Sequence, residues 1–247
     1  MTTVESRAHE SNPFSAERIR PGALPFFFPA GVTPASLWEQ FRQSGYRGQI
    51  VGPHGSGKTS LLKALIAGPP WKDFLGNVYF LRNRNELTDL ADEERCAFKP
   101  DRLWTKIRSM TAGSLVIVDG FDQIRFAGRL LFILQARYRR LKFLATTHRP
   151  FLLPTILRLN PDLDLAYEIA RHCLSEAARW RLAHGLNPIN IPAELVHKLY
   201  FEANGNIREL LFSLYDVYEV CSRQMGEACD NGSKPYSPRS EYFDSTS

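Results

Sequence analysis

Short apolar runs alternate with amphipathic segments between residues 47 and 160, and this alternation predicts a layered fold. Five runs rich in apolar, β-branched or aromatic residues predict strands: 48–51, 77–81, 114–119, 142–147 and the weaker 155–159. The run SLVIVD at 114–119 is apolar throughout until its last residue, as expected of a strand buried on both faces. Strands separated by helical patterns are typical of an α/β fold with a central parallel sheet.

Helical patterns fill the intervals between the runs, and we expect helices over 58–67, 101–110 and 124–141. The first ends at Gly68-Pro69-Pro70, a strong stop signal. In the predicted helix 124–141, three leucines are expected to face the core: Leu130, Leu131 and Leu134. Its basic residues are interpreted as a solvated face rather than a binding patch: Arg137, Arg139, Arg140 and Lys142.

After residue 160 the strand patterns cease. The remaining patterns predict helices over 162–183, 192–203 and 207–222. We therefore expect a sheet domain over 13–160 and a helical domain over 161–225. The polar, aperiodic ends, 1–12 and 226–247, are predicted to be disordered.

The nine residues GPHGSGKTS follow the first predicted strand and open the first predicted helix. They match the pattern GxxxxGK[ST] at all of its fixed positions: Gly52, Gly57, Lys58 and Thr59. Glycine lets the backbone turn tightly and approach a phosphate chain, while the N–H groups at a helix start bind its oxygens. The loop is therefore predicted to bind phosphates through the following residues: Gly52, Pro53, His54, Gly55, Ser56, Gly57, Lys58, Thr59 and Ser60.

Two side chains of this loop have specific expected roles. Lys58 places an ammonium charge on the terminal phosphates, and Thr59 supplies a hydroxyl to Mg²⁺. His54 occupies a variable position and is interpreted as a loop residue without a catalytic role. Asp119, at the end of the apolar run 114–119, is the second expected Mg²⁺ ligand. An aspartate at the carboxyl end of a central parallel strand lies beside the ligand crevice of such folds.

The two motifs together resemble those of P-loop ATPases of the AAA+ and related signal-transduction (STAND) groups. The stretch VIVDGFD at 116–122 is most similar to the second group, and the resemblance extends from about residue 19 to residue 223. It implies a P-loop three-layer sandwich with strand order 5-1-4-3-2 and a C-terminal helical lid. No NKxD-like stretch that would specify GTP follows the fourth run, so ATP is the expected nucleotide.

The resemblance also implies roles for further residues. Many AAA+ proteins have a water-orienting glutamate directly after the Walker B aspartate, where this chain has Gly120. Asp122 is the nearest acidic substitute, with helix capping as its alternative role. Thr147 is the chosen sensor 1 residue, with Thr146 or His148 as alternatives. Arg149 beside them is interpreted as a surface residue, with a charge for the phosphates as its alternative role.

The stretch GNIREL at 205–210 is similar to the sensor 2 region of AAA+ lids. It implies that Arg208 contacts the phosphates when the lid closes. Asn206 is the expected helix cap, and an ion pair of Arg208 with Glu209 is the alternative. Near the N-terminus, Phe14, Ile19 and Arg20 are candidates for packing near the adenine. The aromatic residues 26–28 are an alternative apolar cover for the sheet.

Composition adds little to these motifs. The chain has 247 residues and a formal net charge of +5, which permits an anionic partner without requiring one. Its four cysteines show no metal-ligand spacing and are interpreted as free thiols in a cytoplasmic protein. We find no signal peptide pattern and no apolar stretch long enough for a membrane span.

These features predict Mg²⁺-dependent ATP binding with slow hydrolysis to ADP that is coupled to movement of the lid. The rival hypotheses are a nucleotide-gated interaction module with little turnover, a small-molecule kinase, and an ATPase that associates with DNA. A second copy of the chain and another protein both remain open as partners. Neither the biological process nor the assembly state follows from the sequence.

Overall fold

The computed structural model describes residues 12–20, 23–80 and 107–230. The chain forms two compact units, a sheet unit over Arg20–Asp162 and a helical unit that contains residues up to Ile19 and from Leu163 onward. Most of the predicted disordered ends and most of the predicted helix 101–110 lie outside the described residues.

The sheet unit is built around five parallel strands. Their bounds are β1 Arg47–Val51, β2 Leu75–Phe80, β3 Leu115–Asp119, β4 Lys142–Thr147 and β5 Thr155–Arg158. They lie side by side in the order β2-β3-β4-β1-β5, and all pairings are parallel. The predicted α/β class with a central parallel sheet is therefore confirmed, and each described strand lies within two residues of its predicted bounds.

Seven helices have defined bounds in the described part of the chain. They are α1 Ala16–Ile19, α2 Pro34–Gln43, α3 Lys58–Ile66, α4 Phe126–Tyr138, α5 Leu163–Ala183, α6 Ala193–Glu202 and α7 Ile207–Asp230. Short 3-10 turns cover Lys72–Phe74 and Phe121–Gln123. Of the predicted helix 101–110, residues 107–109 are described and are helical.

Apolar side chains cover both faces of the sheet, because successive residues of a strand point to opposite sides. On β3, Leu115 and Ile117 pack in one buried cluster with residues of α2 and α3. Val116 and Val118 point the other way and pack with Phe132 of α4. This double burial explains why the run 114–119 is continuously apolar.

Helix α4 corrects one prediction about the core. The leucines expected to face inward are exposed, with Leu130 at 37%, Leu131 at 57% and Leu134 at 53%. The buried residues of this helix are Phe132 and Ala136, which pack against the sheet. The helix is apolar around most of its circumference, so its sequence pattern alone did not identify the packed face.

Helix α2 was not predicted, although its start carries recognisable signals. Thr33 caps the helix by accepting a hydrogen bond from the Ser36 N–H at 3.0 Å, and Ser36 Oγ accepts one from the Thr33 N–H at 2.9 Å. Pro34 occupies the first helical position, where its missing N–H has no cost. The helix buries Leu37 and Phe41. Together these signals could have located it.

In the helical unit, α7 carries a row of buried residues: Leu210, Leu211, Leu214 and Tyr218. Phe14 is fully buried there and meets Tyr218 edge to face, with ring centroids 6.2 Å apart. Asn12 donates hydrogen bonds to the Tyr215 carbonyl at 3.2 Å and to Glu219 at 2.8 Å. Residues 13–19 therefore belong to the helical unit and not to the sheet domain as predicted, and so does Asn12, which was predicted to be disordered.

Two further sequence expectations change in this part of the chain. Burial of Phe14 leaves no ring face for an adenine, so its expected role near the base is corrected. Helix α7 continues to Asp230, whereas disorder was expected from residue 226. Gly226 alone does not end the helix, because a single glycine costs only about 1 kcal/mol there. No helix in the described ranges is long and apolar enough to cross a membrane.

Candidate functional site

The loop 52–57 connects β1 to α3 at the carboxyl edge of the sheet. Its first N–H, that of Gly52, donates to the carbonyl of Thr147 at the end of β4 at 3.1 Å. Gly55 and Gly57 have φ angles of +70° and +83°, a conformation that other residues adopt only with strain. Gly57 is the N-cap of α3 and has no side chain to cap it. The first N–H groups of α3 are thus available to an anion.

Gly52 sits in a confined position. A Cβ at this residue would lie 2.6 Å from Ser56 Oγ and 2.9 Å from the carbonyl oxygen of Leu159. Glycine is therefore required by close backbone packing, independently of its φ angle. Ser56 Oγ is itself buried and has no hydrogen-bond partner among the described residues. A buried hydroxyl without a partner is uncommon in native proteins, and a bound water, ion or ligand would satisfy it.

Lys58 folds its ammonium group back over this loop. Its Nζ donates to the carbonyl oxygens of Gly52 and Pro53, both at 2.7 Å. Burial lowers the pKa of the Lys58 ammonium below its ordinary value, and the negative charges of Asp119 and Asp122 act in the opposite direction. The cation is therefore partly desolvated and lies near two carboxylates. A bound anion would be attracted by the ammonium and repelled by the carboxylates, and a divalent cation would offset that repulsion.

Asp119 connects three segments of the sheet unit. Thr59 Oγ1, in the first turn of α3, donates to Asp119 Oδ2 at 2.5 Å. Thr146 Oγ1, from β4, donates to Asp119 Oδ1 and accepts from the Gly120 N–H at 2.8 Å. Asp119 is only 8% exposed. The structure thus brings together Thr59 and Asp119, the two residues that were predicted to hold a metal ion.

Asp122 and His148 form a second contact at the same edge. His148 Nδ1 is hydrogen-bonded to Asp122 Oδ2, and both side chains are about one quarter exposed. The His148 ring also contacts that of His54 in a tilted arrangement, with centroids 3.8 Å apart and planes 31° apart. The turn after β3, the turn after β4 and the loop 52–57 are therefore linked through these three side chains.

The second oxygen of this carboxylate has a different environment. Asp122 Oδ1 is buried and lacks a hydrogen-bond partner in the described ranges. It is thus an acceptor without a described partner, and the negative charge of Asp122 acts on the Lys58 ammonium. Sequence analysis had left helix capping as an alternative for Asp122, but the helix that follows, α4, has Arg125 as its N-cap and no side-chain cap.

The choice of Thr147 as the sensor residue needs correction. Its side chain is fully buried, and Oγ1 donates to Gln49 Oε1 at 3.3 Å on the other side of β4. The register explains this, because Val118 of β3 lies opposite Ala145 of β4, which places Thr146 beside Asp119. The two alternatives, Thr146 and His148, are the residues that reach the carboxylates.

Gln49 is a residue that sequence reasoning missed. It is fully buried in β1, and its amide Nε2 donates to the carbonyls of Phe151 and Leu153 at 2.9 and 2.6 Å. Its Oε1 accepts from the Phe151 N–H at 3.0 Å. Gln49 thereby fixes the loop after β4, which carries His148. Its only sequence signal is a lone polar residue within the apolar run GQIV.

Arg208 lies in the helical unit, at the start of α7. It is exposed, and its guanidinium lies 5.7 Å from the Phe212 ring centroid. Asn206 Oδ1 accepts from the N–H groups of Arg208 and Glu209 at 3.1 and 3.4 Å, which confirms the predicted cap. The role of Arg208 toward phosphates stays a prediction.

The apolar cover suggested for residues 26–28 is present in part. Phe26 and Phe28 pack against the buried cluster on the α2–α3 face of the sheet. Phe26 also lies 3.5 Å from the position that a Gly57 Cβ would take.

Arg149 is exposed, in agreement with the interpretation that it is a surface residue.

The donor set decides which metal ion would fit this edge. Among the described residues no group of three or more histidine, cysteine or acidic side chains could enclose an ion. Thr59 and Asp119 offer one hydroxyl and one carboxylate in direct contact. Such an oxygen-only, incomplete set suits Mg²⁺, which keeps several waters and takes further ligands from substrate phosphates. The residues present therefore fit a magnesium–polyphosphate group.

A comparison with models of protein families found no match, and a search of curated proteins found no significant relative.

Proposed function

We propose that this chain binds a Mg²⁺–nucleoside triphosphate, with ATP as the expected nucleotide, at residues 52–60 and hydrolyses it slowly. The observation that carries the proposal is the hydrogen bond between Thr59 and Asp119, beside an ammonium group that lies over the loop. The ammonium and the hydroxyl come from consecutive residues, Lys58 and Thr59, and the carboxylate of Asp119 joins them from 60 residues further along the chain. A glycine-rich turn that arose by chance would have no need of a nearby hydroxyl and carboxylate.

The resemblance to the AAA+ and STAND ATPases is part of this proposal. It rests on the motifs at 52–60 and 116–122 and gains support from the strand order β2-β3-β4-β1-β5. Read from the opposite edge, this is 5-1-4-3-2, the order that the resemblance implies. A helical unit after the sheet is likewise in keeping with a lid.

Binding is assigned to the loop and the start of α3. The backbone N–H groups of Gly55, Gly57 and Lys58 donate to phosphate oxygens. Lys58 exchanges its present carbonyl partners, Gly52 and Pro53, for the terminal phosphates. Thr59 and Asp119 hold Mg²⁺, which when bound neutralises charge on the phosphate oxygens. Thr146 keeps the Asp119 carboxylate oriented by donating to its other oxygen.

Hydrolysis joins the oxygen of a water molecule to the terminal phosphorus and breaks the bond from that phosphorus to the bridging oxygen. The products are ADP and inorganic phosphate. We assign the acceptor for the water to Asp122 Oδ1, which has no partner in the described structure. His148 holds the same carboxylate through Oδ2 and is a positioning residue. A carboxylate that accepts from the attacking water contributes about 100- to 10,000-fold to such a reaction.

The test combines nucleotide binding and phosphate release on the purified full chain. The wild-type chain should bind a fluorescent ATP analogue in the presence of Mg²⁺. It should also release phosphate from ATP faster than the Lys58→Ala variant, which serves as the blank. Lys58→Ala should lose binding, whereas Asp122→Asn should retain binding and lose release. Arg171→Ala, which removes an exposed arginine of the helical unit, is the control and should leave both unchanged. Absence of Mg²⁺-dependent binding in the wild type would refute the proposal.

A second candidate is a nucleotide-gated interaction module with little turnover. It is favoured by Gly120, which occupies the position after Asp119 with a φ of +76° and has no carboxylate to offer. Tight binding without release above the Lys58→Ala blank would select this candidate over the hydrolase.

A further inference from the structure

One face of α4 exposes a row of large apolar side chains. The row, termed here the α4 stripe, consists of Phe126, Leu130, Leu131, Leu134 and Tyr138, which are 37–82% exposed. Four of them recur at every fourth residue, so they lie along one side of the helix. Twelve steps at helical rise give the stripe a length of about 18 Å. Single exposed apolar residues are ordinary, but a contiguous row on a helix indicates a binding surface.

The stripe is separate from the hydrophobic core. The opposite side of α4 is already packed, since Phe132 and Ala136 are fully buried against the sheet. Helix α4 therefore has two apolar faces, and the sheet covers one of them. At its N-terminal end the stripe meets the loop after β4, because the rings of Phe126 and Phe151 are 5.5 Å apart edge to face. The adjacent Leu152 is 65% exposed and extends the apolar surface.

The charged residues in the sequence interval that contains the stripe all have one sign. No aspartate or glutamate occurs between Asp122 and Asp162. The same interval contains these basic residues: Arg125, Arg129, Arg137, Arg139, Arg140, Lys142, Arg149 and Arg158. Arg125 precedes the stripe, while Arg137 and Arg140 lie at its other end, and all three are exposed. None of these three forms an ion pair with a residue that the structure describes.

We propose that the α4 stripe is a docking site for a protein partner that presents an amphipathic helix with acidic residues beside its apolar face. An apolar helix face buries the leucines and Phe126, which supplies affinity. Carboxylates at both ends of the partner helix meet Arg125 and Arg137, which fixes its register and speeds association. This proposal does not depend on nucleotide binding.

Other binding partners would match either the apolar side chains or the arginines of this surface, but not both. A second copy of the chain placed stripe to stripe would set arginines against arginines, which is unfavourable. A nucleic acid would pair with the arginines but leave five apolar side chains in water. A helix that lies in a bilayer interface has its basic residues along the face opposite the apolar one, and in α4 that face is buried on the sheet.

The test uses designed peptides as probes for the full chain. The first is an acidic amphipathic helix of about 15 residues with leucines at every third or fourth position and glutamates beside them. The second is an isomer of the same composition with dispersed leucines, and the third carries lysines in place of the glutamates. Binding is measured by fluorescence anisotropy. We expect the acidic helix to bind about tenfold or more tightly than either alternative.

Variants of the stripe make the test specific. Leu130→Ser/Leu134→Ser should weaken binding of the acidic helix about tenfold or more, whereas Leu182→Ser should not. Leu182 is a matched control because it is 62% exposed and lies in the helical unit. Arg125→Glu/Arg137→Glu should lose the acidic helix and gain the lysine helix. The leucine and arginine positions are exposed, so these variants are expected to fold, which circular dichroism checks.

Several results would overturn the proposal. Equal binding of the acidic helix and its isomer would remove the helical requirement. Binding to phosphatidylglycerol vesicles or duplex DNA that depends on the same residues, with no peptide binding, would assign the surface to those partners. Self-association lost in Leu130→Ser/Leu134→Ser would assign it to a second copy.

An occupant within the chain is the remaining alternative. Residues 86–94, ELTDLADEE, are acidic and lie outside the described residues. If replacing the five carboxylates of this segment by amides strengthened peptide binding, the occupant would be internal and the proposal of a separate partner would fail. Unchanged peptide affinity in that variant supports the proposal.

Discussion

His148 Nδ1 is hydrogen-bonded to Oδ2 of Asp122, and this contact joins the turns that follow β3 and β4. The two residues are 26 positions apart in the chain and meet because their strands are neighbours in the sheet. The other carboxylate oxygen of Asp122 is left without a partner among the described residues. His148 thus fixes the orientation of the Asp122 carboxylate, whose Oδ1 can accept a further hydrogen bond.

This pairing predicts that the two residues act as a unit. If the chain hydrolyses ATP, His148→Ala should lower kcat about 10- to 100-fold and Asp122→Asn by at least as much, with nucleotide affinity little changed. The double variant should be no slower than Asp122→Asn alone, because His148 acts through that carboxylate. Steady-state phosphate release measures kcat and KM separately. A loss of affinity with unchanged kcat in His148→Ala would contradict the positioning role.

Lys58 predicts a pH dependence of nucleotide affinity. Burial lowers the pKa of the free chain's Lys58 below its ordinary value of 10.5, and bound phosphates would raise it. Between the two pKa values the free ammonium has lost its proton and the bound one keeps it. Binding in that window takes up a proton, so affinity falls as pH rises through it.

Calorimetry in two buffers of different ionisation enthalpy measures this proton uptake. Lys58→Arg is the control, because a guanidinium does not titrate in this range. Proton uptake that persists in Lys58→Arg would show that another group is responsible.

Gly52 predicts a steric requirement at the start of the loop. In Gly52→Ala the new methyl would lie 2.6 Å from Ser56 Oγ and 2.9 Å from the Leu159 carbonyl oxygen. Relief of this contact should cost about 1–3 kcal/mol of stability and displace the loop, which lowers nucleotide affinity. Gly68→Ala is a matched control, since nothing lies within 4 Å of its added carbon. Urea denaturation compares the two, and equal stability would contradict the prediction.

Gln49 predicts a link between the interior and the loop that carries His148. Gln49→Leu removes the partner of the Phe151 N–H and of two carbonyl groups. The Phe151 carbonyl still accepts from the Leu153 N–H, but the Phe151 N–H and the Leu153 carbonyl lose their Gln49 partner, which should lower the free energy of unfolding by about 3 kcal/mol. Phosphate release should fall as well, because the loop is no longer fixed. Gln123→Leu, at an exposed position, should change stability by less than about 0.5 kcal/mol.

The periodicity of the sequence predicted the strands well for a physical reason. A central parallel strand is buried on both faces, so its apolar run is continuous and its ends are marked by polar turns. The order of motifs along the chain likewise located Lys58, Thr59 and Asp119 at strand ends or at the start of a helix. Helix α2 was missed because its capping signals at residues 33–36 were not used.

Sequence patterns did not predict which of two neighbouring residues contacts the site. Thr146 and Thr147 are chemically alike and adjacent, and only the register of β3 against β4 directs the first to Asp119 and the second to Gln49. The packed face of α4 was predicted wrongly for a similar reason. Its apolar residues surround the helix, and contact with the sheet selects Phe132 over Leu131.

The sequence by itself determined the elements of the sheet unit and the glycine-rich loop, because local backbone preferences and burial periodicity are written in consecutive residues. The tertiary structure decided which side chains meet. The contacts of Asp119 with Thr146 and of Asp122 with His148, and the exposure of the α4 stripe, depend on strand register and helix rotation. Both are set by packing between segments that are distant in the chain, and a shift of one residue reverses the face a side chain occupies.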